Sequence, residues 1–122
     1  MVCWYRRLDL FRSMLPNDGS PRFGAMVKFE FFDDENSIFL WLANTRLKAD
    51  NFIAELFEIP PTLAVEHSVG DEFEITPAFV VDWMVNDDGT LHGGFSIRHQ
   101  RSLLPENEHA TFDAHIGFTR YA

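Results

Sequence analysis

The sequence predicts an α+β domain: a curved, mainly antiparallel sheet of about five strands, with a C-terminal helix and an N-terminal helix. Short apolar alternations recur between residues 25 and 98, and tight polar turns separate them. At both ends of the 122-residue chain the apolar spacing lengthens to three or four, the period of a helix.

At the N-terminus, Leu8, Phe11 and Leu15 recur at helical spacing, with Trp4 one turn earlier and Arg6, Arg7, Asp9 and Arg12 on the other side. Two readings follow. The helix packs on the sheet, or Trp4, Leu8 and Phe11 form a hydrophobic arm that docks on a partner. Residues 16–24, rich in Pro, Gly, Asn, Asp and Ser, read as a linker. The expected division is therefore an arm with linker over residues 1–24 and one α+β domain over 25–122.

From Ala25, the residues Val27, Phe29 and Phe31 alternate with Lys28 and Glu30, and Ile38–Leu42 resumes the apolar run after Asp33-Asp34-Glu35-Asn36. That pattern predicts an antiparallel hairpin with its turn at 33–36. The acidic tip has no calcium-loop spacing and reads as a solvated turn. Residues 47–59 fit a helix face through Phe52, Leu56 and Ile59, and also alternate as a strand; the short connection at 48–51 favours the strand. Pro60-Pro61 stops either element.

Gly70-Asp71 opens a further strand through Phe73 and Ile75, which Pro77 ends. Val80–Val85 leads into Asn86-Asp87-Asp88-Gly89, a hairpin signal because Gly adopts positive φ at little cost. Trp83 and Trp41 each sit in an apolar strand run and are expected to be buried in one core. Gly93-Gly94 precedes the alternating Phe95-Ser96-Ile97-Arg98, which reads as a strand entered through a bulge or a close backbone approach. The paired glycines are expected to meet a backbone requirement. Residues 104–117 read as the closing helix, with Pro105 in its first turn and Gly117 as its cap.

Hydrophobic residues make up 46% of the chain, including 13 Phe and 3 Trp, enough for a proper core. The formal charge is -9, which argues against a general nucleic-acid binder and fits a protein that docks on a basic partner. Arg98, His99 and Arg101 are the nearest approach to a basic patch. The single Cys3 excludes an intrachain disulfide framework and a cysteine-rich metal site. No apolar run reaches the length of about 18 residues that a membrane helix needs, and Asp9 and Arg12 interrupt any signal-peptide core. The expectation is a cytoplasmic protein with no membrane contact; the sequence leaves its oligomeric state open.

Asp82 has two readings. It is a general acid or base raised by the apolar Trp83, or its carboxylate accepts backbone hydrogen bonds at a turn while Trp83 fills the core. His92 and His99, seven apart, fall on opposite faces of a regular strand. With Asp82 or His67 they have unspecific spacing for zinc, and no metal or cofactor is expected. His109 and Asp113 lie four apart on the last helix and can meet on its surface. Ser96 and Ser102 lack a nucleophile context, and no catalytic residue is assigned.

Several of these segments together resemble an uncharacterised bacterial family, the domain of unknown function numbered 2314, also called YegJ-like. The segments are Val27-Lys28-Phe29-Glu30, Ile38–Leu42, Ser68–Asp71, Asp82-Trp83-Met84-Val85, Asp88-Gly89, Gly93–Arg98, Pro105-Glu106 and Phe112–His115. The resemblance covers about residues 25–116, departs at Glu58-Ile59-Pro60-Pro61, and implies an extended segment over 52–57. It implies a small α+β domain with a curved antiparallel sheet and no established chemistry. A neighbouring group of small domains looks similar and is associated with immunity against toxins.

Two function classes follow. One is a non-enzymatic protein-binding domain, immunity-like or regulatory, with Trp4, Leu8 and Phe11 as binding residues and Trp41, Asp82, Trp83, Gly93 and Gly94 as structural ones. The other is a small hydrolase-like enzyme that uses Asp82 with His92 or His99. A cleft gathering those side chains would favour the enzyme; an apolar patch with an acidic rim would favour binding.

Overall fold

The computed structural model describes residues 7–33, 36–58 and 67–122, with the side chains of 32, 33 and 36 left aside. The elements are α1 (Leu8–Ser13), β1 (Ala25–Asp33), β2 (Asn36–Lys48), β3 (Asn51–Leu56), β4 (Glu72–Ile75), β5 (Val80–Asp87), β6 (Thr90–Gly93), α2 (Phe95–Ser102), α3 (His109–Ile116) and β7 (Arg120–Tyr121). Short 3-10 turns at Pro77–Phe79 and Glu106–Glu108 precede β5 and α3. The fold is α+β, as the sequence predicts. The sheet has seven strands in the order β4-β3-β2-β1-β5-β6-β7. All pairings are antiparallel except β6 with β7.

The expected hairpins form where turn chemistry permits. Asp87 pairs with Thr90. Between them Asp88 (φ 49°) and Gly89 (φ 87°) both take left-handed backbone, the turn whose twist matches paired strands. The Asn86 side chain accepts a hydrogen bond from Gly89 N at 2.9 Å. Asp33 pairs with Asn36; the residues at the tip lie outside the described ones. The segment that fits both periods is a strand at Asn51–Leu56, because Phe52, Ala54 and Leu56 all face the core.

Alternation divides the sheet into two faces. Ala25, Val27, Leu40, Leu42, Phe52, Ala54, Leu56, Trp83 and Val85 form the core, with Phe11 and Leu15 of the N-terminal segment packed among them. Leu8, Phe11, Met14 and Leu15 thus pack the N-terminal segment onto the sheet. Phe11 is fully buried, stacked on Trp83 with ring centroids 4.9 Å apart and tilted against Phe52 at 5.3 Å. The Arg12 guanidinium lies over the outer side of Phe52, 4.7 Å from its centroid. The helix forms because the sheet buries its apolar stripe.

The expectation that Trp41 shares the core with Trp83 is corrected by register. Trp83 pairs with Val27, and Trp41 pairs with Lys28. Neighbouring positions of β1 face opposite ways, so the two tryptophans lie on opposite faces. Trp41 is half-buried, and the Lys28 ammonium reaches over both Trp41 and the exposed Phe39.

The sheet curls strongly. Phe73 on β4 reaches Phe29 and Phe31 on β1, with centroids 6.2 and 6.0 Å apart, although β2 and β3 lie between these strands in the sheet. β2 bends to allow this, with a register shift between Ala43 and Arg46 and left-handed Asn44 (φ 54°). The fully buried Thr45 donates its hydroxyl to Ala25 O at the bend.

Phe95-Ser96-Ile97-Arg98 is a helix start, not the expected strand. Gly93 (φ 69°) and Gly94 (φ 65°) are both left-handed. Two such residues in succession turn the chain off the line of β6 and into α2. The closing helix is shorter than expected, beginning as the 3-10 turn and ending at Gly117 (φ 86°).

Candidate functional site

Asp82 is 2% exposed, and its two carboxylate oxygens are both occupied. Oδ1 accepts hydrogen bonds from Trp83 N (2.8 Å) and Phe95 N (3.1 Å). Oδ2 accepts them from Ser96 N (2.8 Å) and Ser96 Oγ (2.6 Å). Phe95 and Ser96 open α2, so Asp82 caps that helix from another strand, where a carboxylate also complements the positive end of the helix dipole. Trp83 N is held by the same group, which ties strand and helix together.

The glycines make this possible. A Cβ on Gly93 would lie 2.6 Å from Trp83 Cε3 and from Trp83 O. A Cβ on Gly94 would lie 2.9 Å from the methyl carbons of Leu91. Gly94 N donates to Trp83 O at 2.6 Å. Both the left-handed backbone and the close approach require glycine here.

The histidines do not gather around Asp82. His92 Nε2 lies 4.0 Å from Asp87 Oδ2, and His99 is exposed on α2. His67 sits edge-on to Phe31, centroids 5.3 Å apart, with Nδ1 3.8 Å from Asp71 Oδ2. Among the described residues no three His, Cys, Asp or Glu come together around a point that could hold a metal. His109 bonds the Leu104 carbonyl rather than Asp113.

Asp113 instead takes a partner the sequence does not disclose. Arg101 clamps it with Nε at 2.8 Å and Nη2 at 3.1 Å, and the Tyr121 hydroxyl donates to the same carboxylate. These hydrogen bonds, Arg101 first and Tyr121 second, hold the Asp113 carboxyl below its ordinary range. Burial, then the Asp113 hydrogen bond, push the Tyr121 phenol up to about 12. Arg101 and Arg98 lie over the Tyr121 ring at 4.7 and 5.5 Å. Arg98 also donates to Gly93 O (2.7 Å) and Leu91 O (2.9 Å). The basic group of residues 98–101 thus fastens the C-terminal segment.

Of the expected docking residues, Phe11 belongs to the core and Leu8 packs partly against it; Trp4 lies outside the described residues. In this fold the apolar stripe that would meet a partner is packed on the sheet.

A cleft that sequence reasoning missed lies where the sheet curls. It has a volume of about 330 Å³ and is lined by Phe29, Glu30, Phe31, Glu74, Ile75, Thr76 and Phe79. The aromatic rings and Ile75 give it apolar walls. Glu30 and Glu74 alternate with the apolar residues of their strands, which directs their carboxylates toward the opposite face. Glu74 is held there by Asn51 (2.7 Å) and Lys48 (3.1 Å). Phe79 is 59% exposed at the rim. The sequence signal was the unexplained apolar Phe79 after Pro77; the approach of β4 to β1 is a tertiary fact that alternation does not carry.

The curled, mostly antiparallel sheet with its edge cleft and capped helix defines a small α+β domain. A family model for an uncharacterised protein conserved in bacteria, DUF2314, matches residues 17–119, and the chain belongs to that family. No curated protein and no solved structure matches the chain.

Proposed function

We propose that the domain works in the cytoplasm by binding a protein with a basic surface, in an immunity-like or regulatory role. The observation that carries this reading is the open, apolar-walled cleft between β1 and β4 in a chain of formal charge -9. Apolar walls supply contact area, and the acidic excess steers a basic partner and repels wrong ones. The alternative enzyme, built on Asp82 with His92 or His99, draws no support from the geometry. The Asp82 carboxylate is occupied by the start of α2, His92 faces Asp87, and His99 is exposed on α2.

The test is capture of partners from bacterial extract at low and high ionic strength, then reassembly of the complex from purified components and measurement of its mass. A defined complex that weakens with salt supports the reading. Substrate turnover lost in a folded Asp82→Asn protein would overturn it.

A further inference from the structure

The two short sheet edges are protected against pairing. β4 spans only four residues and places Glu72 and Glu74 outward, each engaged by a cation from β2. β7 spans two residues. β1 is different. It runs to Asp33, but its pairing with β5 ends at Phe29, opposite Val80. Beyond that point β2 is its only strand neighbour among the described residues. The cleft lies along this half-strand, beside residues 29–31.

We propose that an extended segment of a basic partner adds as a strand along residues 30–33 of β1, with alternating apolar and basic side chains. This rests on the protein-binding reading and names the mode of binding. Main-chain hydrogen bonds to a strand edge give affinity, and pockets for alternate side chains give specificity. The level of Phe29 is taken by Val80, so the side chain of the added segment level with Phe31 is the one that falls on the cleft side, near Phe79 and Ile75. The neighbouring side chain, level with Glu30, falls on the other face. The ion pairs of that face use Glu72 and Glu74 with Arg46 and Lys48, leaving Glu30 with none among the described residues. A lysine or arginine level with Glu30 completes an oppositely charged cross-strand pair. The occupant is thus a strand in which a basic residue, level with Glu30, neighbours an apolar one, level with Phe31.

Blocked peptides of the pattern Val-Lys-Val-Lys-Val, its Glu counterpart, and the Lys peptide N-methylated at the central amide are titrated into the full chain by NMR. The Lys peptide is expected to shift the amides of residues 29–33 and 76–79. The Glu peptide is expected to bind about fivefold more weakly, near the upper end of a cross-strand charge effect. N-methylation is expected to abolish the shifts. Glu30→Lys, checked for fold by circular dichroism, is expected to reverse the charge preference, and Phe79→Ser to weaken every peptide. Shifts confined to the Phe39–Trp41 face or to β4 would overturn the assignment of the edge while leaving a protein-binding domain. Equal binding of the N-methylated peptide would overturn strand addition. Absence of shifts with all peptides at millimolar concentration would overturn the proposal, and the reconstituted complex then decides the broader reading alone.

Discussion

Phe11 and Trp83 stack nearly parallel, 22° between ring planes, at the centre of the core. One comes from the N-terminal helix and the other from strand β5, beside the central strand β1. Both are fully buried. Trp83→Ala is expected to cost about 3–5 kcal/mol and Phe11→Ala a similar amount, the usual loss for a large buried aromatic. Urea denaturation followed by far-UV circular dichroism measures both. Trp41→Ala, on the other face and half-exposed, is expected to cost clearly less. A Trp41 loss equal to that of Trp83 would contradict the two-face assignment.

The Asp82 cap gives the second expectation. Asp82→Ala removes the acceptor of the hydrogen bonds from the backbone N–H groups of Trp83, Phe95 and Ser96. The cost should be about 2–4 kcal/mol, the range for losing hydrogen bonds to a charged group. Ser96→Ala removes only the hydroxyl contact and should cost about 1 kcal/mol. Hydrogen exchange should then show α2 amides losing protection in Asp82→Ala before those of β1 and β2.

Gly93 and Gly94 should differ. At Gly93 the added carbon meets backbone and an enclosed indole, neither of which can move away. At Gly94 it meets the ends of a leucine. Each substitution also carries about 1–2 kcal/mol for a left-handed non-glycine residue. Gly93→Ala is therefore expected to destabilise more than Gly94→Ala, by an overpacking cost of about 1–3 kcal/mol. Thermal melts of the two variants under one buffer decide the order.

The Tyr121–Asp113–Arg101 cluster has two pH limits. Tyr121 is raised to about 12 in the fold, so its contribution is complete below the ordinary phenol value of about 10 and fades as pH climbs through 12. Asp113 is lowered, so its contribution is present above the ordinary carboxyl value of about 3.9 and is lost as pH falls through its depressed value. The chain has 2 tyrosines. A spectrophotometric titration of the native protein should show a late phenolate step that Tyr121→Phe lacks. Survival of that step would remove Tyr121 as its source.

The strands were legible where one face is apolar and the next polar. Val27, Phe29 and Phe31 announce β1, and Asp88-Gly89 announces the turn between β5 and β6, because both signals are local. Residues 51–56 needed more than local pattern, since a strand with both Phe52 and Ile53 buried blurs its alternation. Phe95–Arg98 reads as a strand because its residues alternate. The structure makes it a helix because two left-handed glycines turn it and Asp82 caps it from another strand. The clamp on Asp113 was hidden for the same reason: Arg101, Asp113 and Tyr121 meet only through tertiary packing. Among the candidate site residues, Asp82, Trp83 and the glycines stood out in sequence by type. The β1–β4 cleft did not, because it arises from the curl of the sheet rather than from any one segment.

The stacking of Phe11 on Trp83 also sets an order of assembly. The helix bearing Phe11 leaves the ribosome before the strand bearing Trp83 is made. The hairpins of β1, β2 and β3 join neighbours in the chain and can form as they are synthesised. The core must wait for β5, and until then the apolar faces of β1 and α1 stay uncovered in the nascent chain. Non-local closure of this kind slows folding and lengthens the interval in which apolar surface is open to aggregation. The residues that unite the finished core therefore also mark the stage of biosynthesis at which the chain depends most on assistance.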